Sequence, residues 1–547
     1  MEDFAEDIAP GRHTGDKIIK AGMTIAIAHA ILKVVGLVAA IVVGQHLADK
    51  CYDAVFAYAF EGVILSLFLI GEEAIGPCFL PIFMREFDKK DEKSAWDFAN
   101  TILTVQALIL AGVSMFLMLF PDRVIAWTTE WTSLQDPERY LLARDSLVWL
   151  APALIFLSLG STTYMLLNGY KKFFLAAFGD TSSRMVLVLS VLVGGMLFGL
   201  DHRAVIFGLV LGAVAKLATH LVGLRGKLRL VQARLDLGSP AIKAFVLLLI
   251  PLALGIVFAK FRDLFSNVWI LSSLNTDGLM KANSLGRKLP DAIVWLVPYA
   301  LSIAMFPFMC EMVDRNDRKK LGDMITQTGR HLLALFLPFA FLFCIMSGGI
   351  SELLFRGGKF TAEMRLWAAV SMGTYVFLLP ARAIEQVLIQ AYFADRRMIS
   401  VTVMGIASSA LSMIVAYVGV RVLGAEGVYA LAVVAGGLVF GRLVKSVAFA
   451  IYMKTKMPMF PVMATSWFLV RITATSFAVA VAAYYAMAGV DRFHAASGIT
   501  WAAVRLVVGA VAGLAAFAGS AFVLRINEPR EMLEWALAKV RRKRAGG

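Results

Sequence analysis

The stretches FLPIFMREFDKKDEK (79–93) and MFPFMCEMVDRNDRK (305–319) share one pattern, an apolar run with a proline that ends in mixed charges. At a constant offset of 226 residues they match Pro81 with Pro307, Asp88 with Asp314, Lys89 with Arg315, Asp91 with Asp317, and Lys93 with Lys319. A weaker echo links NGYKKF (168–173) to QAYFADRR (390–397). The chain therefore contains an internal repeat.

The composition indicates that the repeat lies in a membrane. Of the 547 residues, 59% are hydrophobic and 17% are charged, and the mean hydropathy is +0.75. A soluble domain averages roughly 45–50% apolar and about 25% charged residues. The net charge of +14 would suggest a nucleic-acid partner in a soluble chain. In a membrane protein it indicates basic loops facing an anionic leaflet, so no nucleic-acid partner is expected.

Fourteen stretches are long and apolar enough to cross a bilayer, which takes about 20 residues. They are 21–44, 54–84, 95–120, 145–168, 182–200, 204–224, 242–274, 278–312, 323–348, 366–392, 398–420, 427–452, 463–489 and 498–524. Lys260, Arg262 and Asp263 interrupt 242–274, which is either one long bent helix or a helix followed by a surface segment. Lys and Arg concentrate in alternate loops, so both termini are predicted to be cytoplasmic.

Six spans separate the matched positions, and an even number gives both halves the same orientation. The sequence therefore predicts an all-α polytopic membrane protein with two pseudo-symmetric six-helix lobes and two additional C-terminal helices. Such paired lobes are typical of transporters that work by alternating access. The predicted parts are a cytoplasmic tail (1–20), an N-lobe (21–224), a linker (225–241), a C-lobe (242–452), two further helices (463–524) and a basic cytoplasmic tail (525–547).

Ionisable side chains inside spans are costly, so they mark candidate sites. The candidates for substrate binding are Lys33, Asp53, Glu61, Glu72, Lys281, Arg287, Lys288, Arg382 and Glu385. In span eight, Lys281 and Lys288 share a helix face and Arg287 lies about 100° away. With few opposing carboxylates, these three cations are expected to line a wet cavity that suits a pyrophosphate or carboxylate. The alternative is structural ion pairing, of Glu72 or Glu61 with Lys33 and of Arg382 with Glu385.

Five other intramembrane cations lie alone or nearer helix ends, and most of them are expected to extend toward the membrane surface. They are Lys216, Arg442, Lys445, Arg471 and Arg505. No GxSxG, HExxH, P-loop or strand-associated GxGxxG motif occurs, so neither an enzymatic activity nor a cofactor is predicted. The cysteines stand singly, which indicates neither a disulfide framework nor a zinc site.

Three motifs resemble the MurJ/MviN lipid II flippases of the multidrug/oligosaccharidyl-lipid/polysaccharide exporter superfamily. CYDAVFAYAF (51–60), followed by GEEAIGPCFLPIFMREFDKKDEKSAWDFANTIL (71–103), resembles the second-span region of that family. LLFRGGKFTAE (353–363) resembles its Leu-Phe-x-x-Gly-x-Phe-Thr motif, and QAYFADRR resembles its Phe-Tyr-(Ala/Ser)-Arg-x-Asp segment. The likeness covers most of the chain and includes the fourteen-span count.

The resemblance implies a flippase in the bacterial inner membrane that carries an undecaprenyl-pyrophosphate-linked saccharide between leaflets. The headgroup would pass through a wet cleft, and the lipid tail would lie along a groove made by the last two helices. Asp53 and Glu72 match the acidic residues of the family's second span, and Lys33 falls where a first-span arginine is expected.

Three arginines of the family are missing from this chain. The corresponding positions are Ala39, about Ser66 or Leu67, and Leu285. Lys281, Arg287 and Lys288 would replace the last of these charges from neighbouring turns. The partners implied are a lipid-linked saccharide and membrane lipids, and a coupling ion, either sodium or a proton, is left open as a further partner.

Two alternatives for the substrate stay open. One is another lipid-linked glycan, such as an exopolysaccharide or O-antigen repeat unit, and the other is a drug or organic cation exchanged by an antiporter. The energy source is equally open between the membrane potential, bound sodium and a proton relay through Glu385 or Asp53.

Overall fold

The computed structural model describes residues 31–89, 92–296, 298–395, 397–493, 498–531 and residue 534. All regular secondary structure in these ranges is helical. The predicted tail 1–20, the start of the first span and most of the basic tail 525–547 lie outside the described residues.

Twelve helices in the described ranges are long and apolar enough to cross a membrane, and a shorter apolar helix precedes them. In chain order the helices are α1 (Ile31–His46), α2 (Asp49–Phe87), α3 (Glu92–Leu119), the short α4 (Pro121–Thr128), α5 (Pro137–Gly169), α6 (Phe173–Gly195), α7 (Asp201–Gly223), α8 (Pro240–Ser272), α9 (Leu279–Leu296), α10 (Pro298–Asp314), α11 (Arg318–Leu354), α12 (Ala362–Ala394), α13 (Ile399–Val422), α14 (Gly427–Lys454), α15 (Val462–Arg492) and α16 (Ile499–Val523). The predicted all-α polytopic class is confirmed.

The interrupted stretch 242–274 forms one long helix, α8. Its charges are tolerated because each has a partner. Lys260 Nζ lies 2.7 Å from Oε1 of Glu73, and Arg262 Nη2 lies 2.8 Å from Oδ1 of Asp263. Paired charges cost less to keep out of water than isolated ones, so the helix continues through them.

The predicted span 278–312 is helical wherever the structure describes it, over Leu279–Leu296 (α9) and Pro298–Asp314 (α10). Residue 297 lies outside the described residues, so whether the two segments form one span stays a prediction. The cations of the predicted span lie on α9, and the second copy of the repeat begins on α10.

The chain divides into two compact units, residues 1–260 and 261–547. The repeated stretches contribute to the core of each. In unit 1, Phe79 and Phe83 from the first copy pack with Trp96 and Phe98, and in unit 2, Met309 from the second copy is fully buried in the main core. The apolar half of the repeat is thus explained by packing.

The charged half of the repeat binds the echoing segments. In unit 1, Tyr170 donates a hydrogen bond to Glu92 at 2.5 Å and accepts one from Trp96 Nε1 at 2.7 Å. In unit 2, Asp395 accepts from Arg318 and Arg397. Glu92 and Arg318 are 226 residues apart, the repeat offset. In unit 1 these contacts join the start of α3 to the segment after α5, and in unit 2 they join the start of α11 to the segment after α12. The two units therefore make equivalent links with different side chains.

Candidate functional site

A buried group of charged residues in unit 2 surrounds Glu385 of α12. Its Oε1 accepts hydrogen bonds from Arg442 Nη1 at 2.8 Å and from Lys445 Nζ at 2.7 Å, both on α14. Glu385 is 3% exposed and Lys445 is 7% exposed. Because two cations share one oxygen, this part of the site carries excess positive charge. One alternative was that Glu385 pairs with Arg382, three residues earlier. Arg442 and Lys445 bind Glu385 instead.

Arg287 on α9 lies between two carboxylates. Its Nε is 2.9 Å from Oδ2 of Asp291, and its Nη1 is 3.7 Å from Oδ1 of Asp263. Its guanidinium also lies over the ring of Tyr375, 5.7 Å from the centroid. The expectation that the span-eight cations face few opposing carboxylates is therefore wrong for Arg287.

Arg382 has a different environment from the other cations. Its Nε is buried without a hydrogen-bond partner, and within the described residues its guanidinium makes no ion pair. It nevertheless lies within electrostatic range of Arg442, Asp291, Arg287 and Glu385. A guanidinium held among other charges with its own donors unused is suited to bind an anion from outside the protein.

The complete group, which we call the ionic cluster, combines α8, α9, α12 and α14. Its members are Arg262, Asp263, Arg287, Asp291, Arg382, Glu385, Arg442 and Lys445. Five cations against three carboxylates leave a net charge of about +2 when every group is ionised. Such a cluster favours a multiply charged anion and disfavours an organic cation.

Lys281 is fully buried, with Nζ 4.7 Å from the ring centroid of Phe360. Phe360 and Thr361 belong to the LLFRGGKFTAE segment. Thr361 is the N-cap of α12, since its Oγ1 accepts from the Met364 N–H at 3.1 Å. Gly357 and Gly358 adopt φ of 86° and 59°, which glycine allows at little cost. This motif thus places an aromatic ring against Lys281 and starts α12.

In unit 1, Glu72 does not pair with Lys33 as one alternative proposed. Its Oε1 lies 3.3 Å from Nζ of Lys216 on α7, and that Nζ lies 2.7 Å from Oδ1 of Asp180 on α6. Lys216 is 1% exposed, whereas roughly a third of each carboxylate side chain is exposed. The three residues connect α2, α6 and α7.

The remaining candidates lie elsewhere. Asp53 is 1% exposed and Glu61 is half-buried, both within Tyr52–Ile64, a π-helical stretch of α2. Lys33 on α1 and Lys288 on α9 are also half-buried. Of the nine predicted residues, the structure brings Arg287, Arg382 and Glu385 together in the ionic cluster.

Sequence reasoning missed several members of these sites. Most of the five cations that include Lys216, Arg442 and Lys445 were expected to reach the membrane surface. That expectation is wrong for these three, because all of them bind buried or half-buried carboxylates. A usable signal was present, since Lys216 and Arg442 are separated by the repeat offset of 226 residues. A polar network was missed as well. In it Asn283 donates to Asn267 Oδ1 at 2.9 Å and accepts from the Tyr375 hydroxyl at 3.0 Å.

An apolar cavity of about 420 Å³ opens between α11, α12 and α15. Its lining consists of Phe341, Cys344, Ile345, Phe377, Phe477, Ala480, Val481, Tyr484 and Tyr485. An apolar hollow on a membrane-spanning protein has the chemistry of a hydrocarbon site.

Comparison with known proteins gives a consistent result. Residues 44–507 match the family model described as lipid II flippase MurJ. A probable lipid II flippase MurJ of Bdellovibrio bacteriovorus is 22% identical over 422 residues, which are 77% of this chain and 80% of that one. One of Treponema pallidum is 22% identical over 430 residues, 75% of this chain and 78% of that one.

Solved structures show the same fold. A lipid II flippase MurJ in an inward closed conformation superposes with a TM-score of 0.70 at 16% identity, covering 92% of this chain and 99% of that one. An inward-facing multidrug resistance MATE family transporter gives a TM-score of 0.65 at 12% identity, covering 82% and 98%.

Proposed function

The chain belongs to the MurJ family of lipid II flippases, and on that premise we propose that it carries lipid II from the inner to the outer leaflet of the bacterial cytoplasmic membrane. The observation that carries the proposal is the ionic cluster. A group of net positive charge at membrane depth needs an anion, and the pyrophosphate of an undecaprenyl-linked saccharide supplies one.

Arg382 is the residue we propose to contact the pyrophosphate directly. Arg442 and Lys445 are already engaged with Glu385, and Arg287 is engaged with Asp291. Arg382 has unused donors within the described residues, so it can bind a phosphate oxygen without breaking an internal pair. In this account Arg382 supplies the charge that the buried Leu285 lacks.

The lipid tail is proposed to use the apolar cavity beside α15. Its lining is almost wholly hydrocarbon and aromatic, and it lies on one of the two helices beyond the repeat. An isoprenoid tail would bury apolar surface there at about 25 cal/mol per Å².

The pairing of Glu385 also bears on the energy source. Glu385 is poorly placed to pass a proton on, because losing its charge would leave Arg442 and Lys445 repelling each other. We therefore propose that Glu385 is not a proton relay. The energy source is then the membrane potential acting on bound charge, at about 2.3 kcal/mol per charge per 100 mV, bound sodium, or a relay through Asp53.

Complementation tests the proposal. A strain depleted of its own lipid II flippase should regain growth when this chain is expressed, and lipid II should stop accumulating in the inner leaflet. Growth without transport of lipid II, or failure to rescue despite normal insertion, would contradict it. The missing family arginines favour one alternative, another lipid-linked glycan, and transport of an O-antigen unit in place of lipid II would support that alternative.

A further inference from the structure

A polar hollow of about 470 Å³ lies in unit 2, away from the ionic cluster. It is lined by the early turns of α11, by the start of α15 and by the segment that follows α16. With 37 residues, α11 is about 55 Å long at 1.5 Å per residue, whereas the hydrocarbon core is about 30 Å thick. Its early turns therefore extend into the headgroup layer, level with the ends of α15 and α16.

Unpaired charges of both signs line this hollow. The Nε of Arg330 is buried without a hydrogen-bond partner, and within the described residues Arg330 makes only one contact of its guanidinium, over the ring of Phe468 at 5.7 Å. The carboxylates of Asp323 and Glu528 likewise make no ion pair in the part of the chain that the structure describes. Glu531 differs, because it lies 3.1 Å from Nε2 of His331.

The walls of the hollow are held in place by packing. Phe468, against which Arg330 lies, belongs to a small buried core with Ala334, Ile472, Ala521 and Ile526. This core joins α11, α15, α16 and the segment after it. The contact between His331 and Glu531 fastens the same segment to α11. The charges therefore line a preformed site.

We propose that this hollow binds the headgroup of a phospholipid that carries both a phosphate and a primary ammonium. The phosphate would accept hydrogen bonds from Arg330, and the ammonium would donate to Asp323 and Glu528. An anionic glycerol headgroup offers no cation to the two carboxylates, and a quaternary choline offers no N–H. The charge pattern therefore selects an ethanolamine headgroup over both.

Binding of labelled short-chain lipids to the full-length, delipidated protein in detergent tests this inference without involving lipid II. Phosphatidylethanolamine should bind at least tenfold more tightly than phosphatidylglycerol or phosphatidylcholine. Arg330→Gln should weaken that binding about tenfold, and Asp323→Asn combined with Glu528→Gln should abolish the preference over phosphatidylcholine. Arg530→Gln is the matched control, because Arg530 is exposed and pairs with Glu534.

Equal affinity for the three lipids would overturn the inference, as would unchanged affinity in both variants. A soluble competitor distinguishes the source of the headgroup. Glycerophosphoethanolamine at the lipid's own concentration should fail to displace it, because it lacks the acyl chains that keep the lipid in the detergent micelle beside the site. Full displacement would mean that the site takes a free phosphoethanolamine compound and would overturn the assignment to a lipid. The result is independent of whether the chain transports lipid II.

Discussion

Lys445 Nζ lies 2.7 Å from Oε1 of Glu385, and both side chains are buried within helices that are apolar enough to cross a membrane. Arg442 binds the same oxygen. The arrangement links α12 to α14 through a charge that neither helix could hold alone in a medium of low dielectric constant.

Replacing Glu385 with Gln is expected to destabilise the protein. The change leaves Arg442 and Lys445 buried near each other without their carboxylate, and breaking a buried pair in this way costs about 3–5 kcal/mol. Thermal unfolding of the purified protein in detergent measures the effect as a lowered melting temperature. Adding Lys445→Met to Glu385→Gln should recover part of the loss, and a double variant no more stable than the single one would contradict the explanation.

Replacing Arg382 with Gln is expected to leave the stability of the protein unchanged and to abolish transport. Because Arg382 makes no ion pair within the described residues, its loss leaves no carboxylate without a partner, so the melting temperature should stay within a few degrees of wild type. Rescue of a flippase-depleted strain should nevertheless fail. Full rescue of growth by Arg382→Gln would contradict the proposal that Arg382 binds the substrate.

The combined replacement of Lys281, Arg287 and Lys288 with Ala is a poorer probe of transport. Its expected loss of activity would be mixed with destabilisation, because Asp263 and Asp291 would lose Arg287. A double-mutant cycle of Arg287→Ala and Asp291→Ala should give a coupling free energy of about 0.5–3 kcal/mol. Additive effects on the melting temperature would contradict the ion pair.

The hydrogen bonds of Asp395 predict that the thermal stability of the protein depends on pH. Burial raises the pKa of its carboxyl, but hydrogen bonds from Arg397 and Arg318 outweigh burial and hold the pKa below its usual value. A lowered pKa contributes stability that is present at neutral pH and is lost as the pH falls below about 4. The melting temperature should therefore fall more steeply with acid in wild type than in Asp395→Asn, and equal slopes would contradict the link.

Filling the apolar cavity should interfere with binding of a long tail. Val481→Trp places an indole in the cavity and is expected to weaken binding of an undecaprenyl-linked substrate more than that of a short-chain analogue. Val511→Trp on α16 is the control, because Val511 is exposed and does not line the cavity. An equal effect of both variants on both substrates would exclude the cavity as the tail site.

The fold could be predicted from the sequence because the bilayer imposes a length and an apolar composition on every span. The repeat was equally visible, and its apolar and charged halves correspond to core packing and to the links at Tyr170 and Asp395.

The site was less predictable, because partners depend on which helices become neighbours. Lys216 occurs alone in its span, and nothing near it in the sequence shows that Glu72 and Asp180 meet it. The same holds for Glu385, whose nearest cation along the chain is Arg382 but whose partners are about 60 residues away. The positions of charges along the sequence therefore show which ionisable residues lie inside spans, but they do not show which residues on other helices form ion pairs with them.

Whether the ionic cluster binds the pyrophosphate is tested by comparing the affinity of lipid II with that of an undecaprenyl lipid lacking the pyrophosphate, in wild type and in Arg382→Gln. Wild type is expected to prefer lipid II by at least tenfold, and Arg382→Gln, folded normally, is expected to lose this preference. An Arg382→Gln protein that keeps the full preference would contradict the proposal that the ionic cluster binds the pyrophosphate.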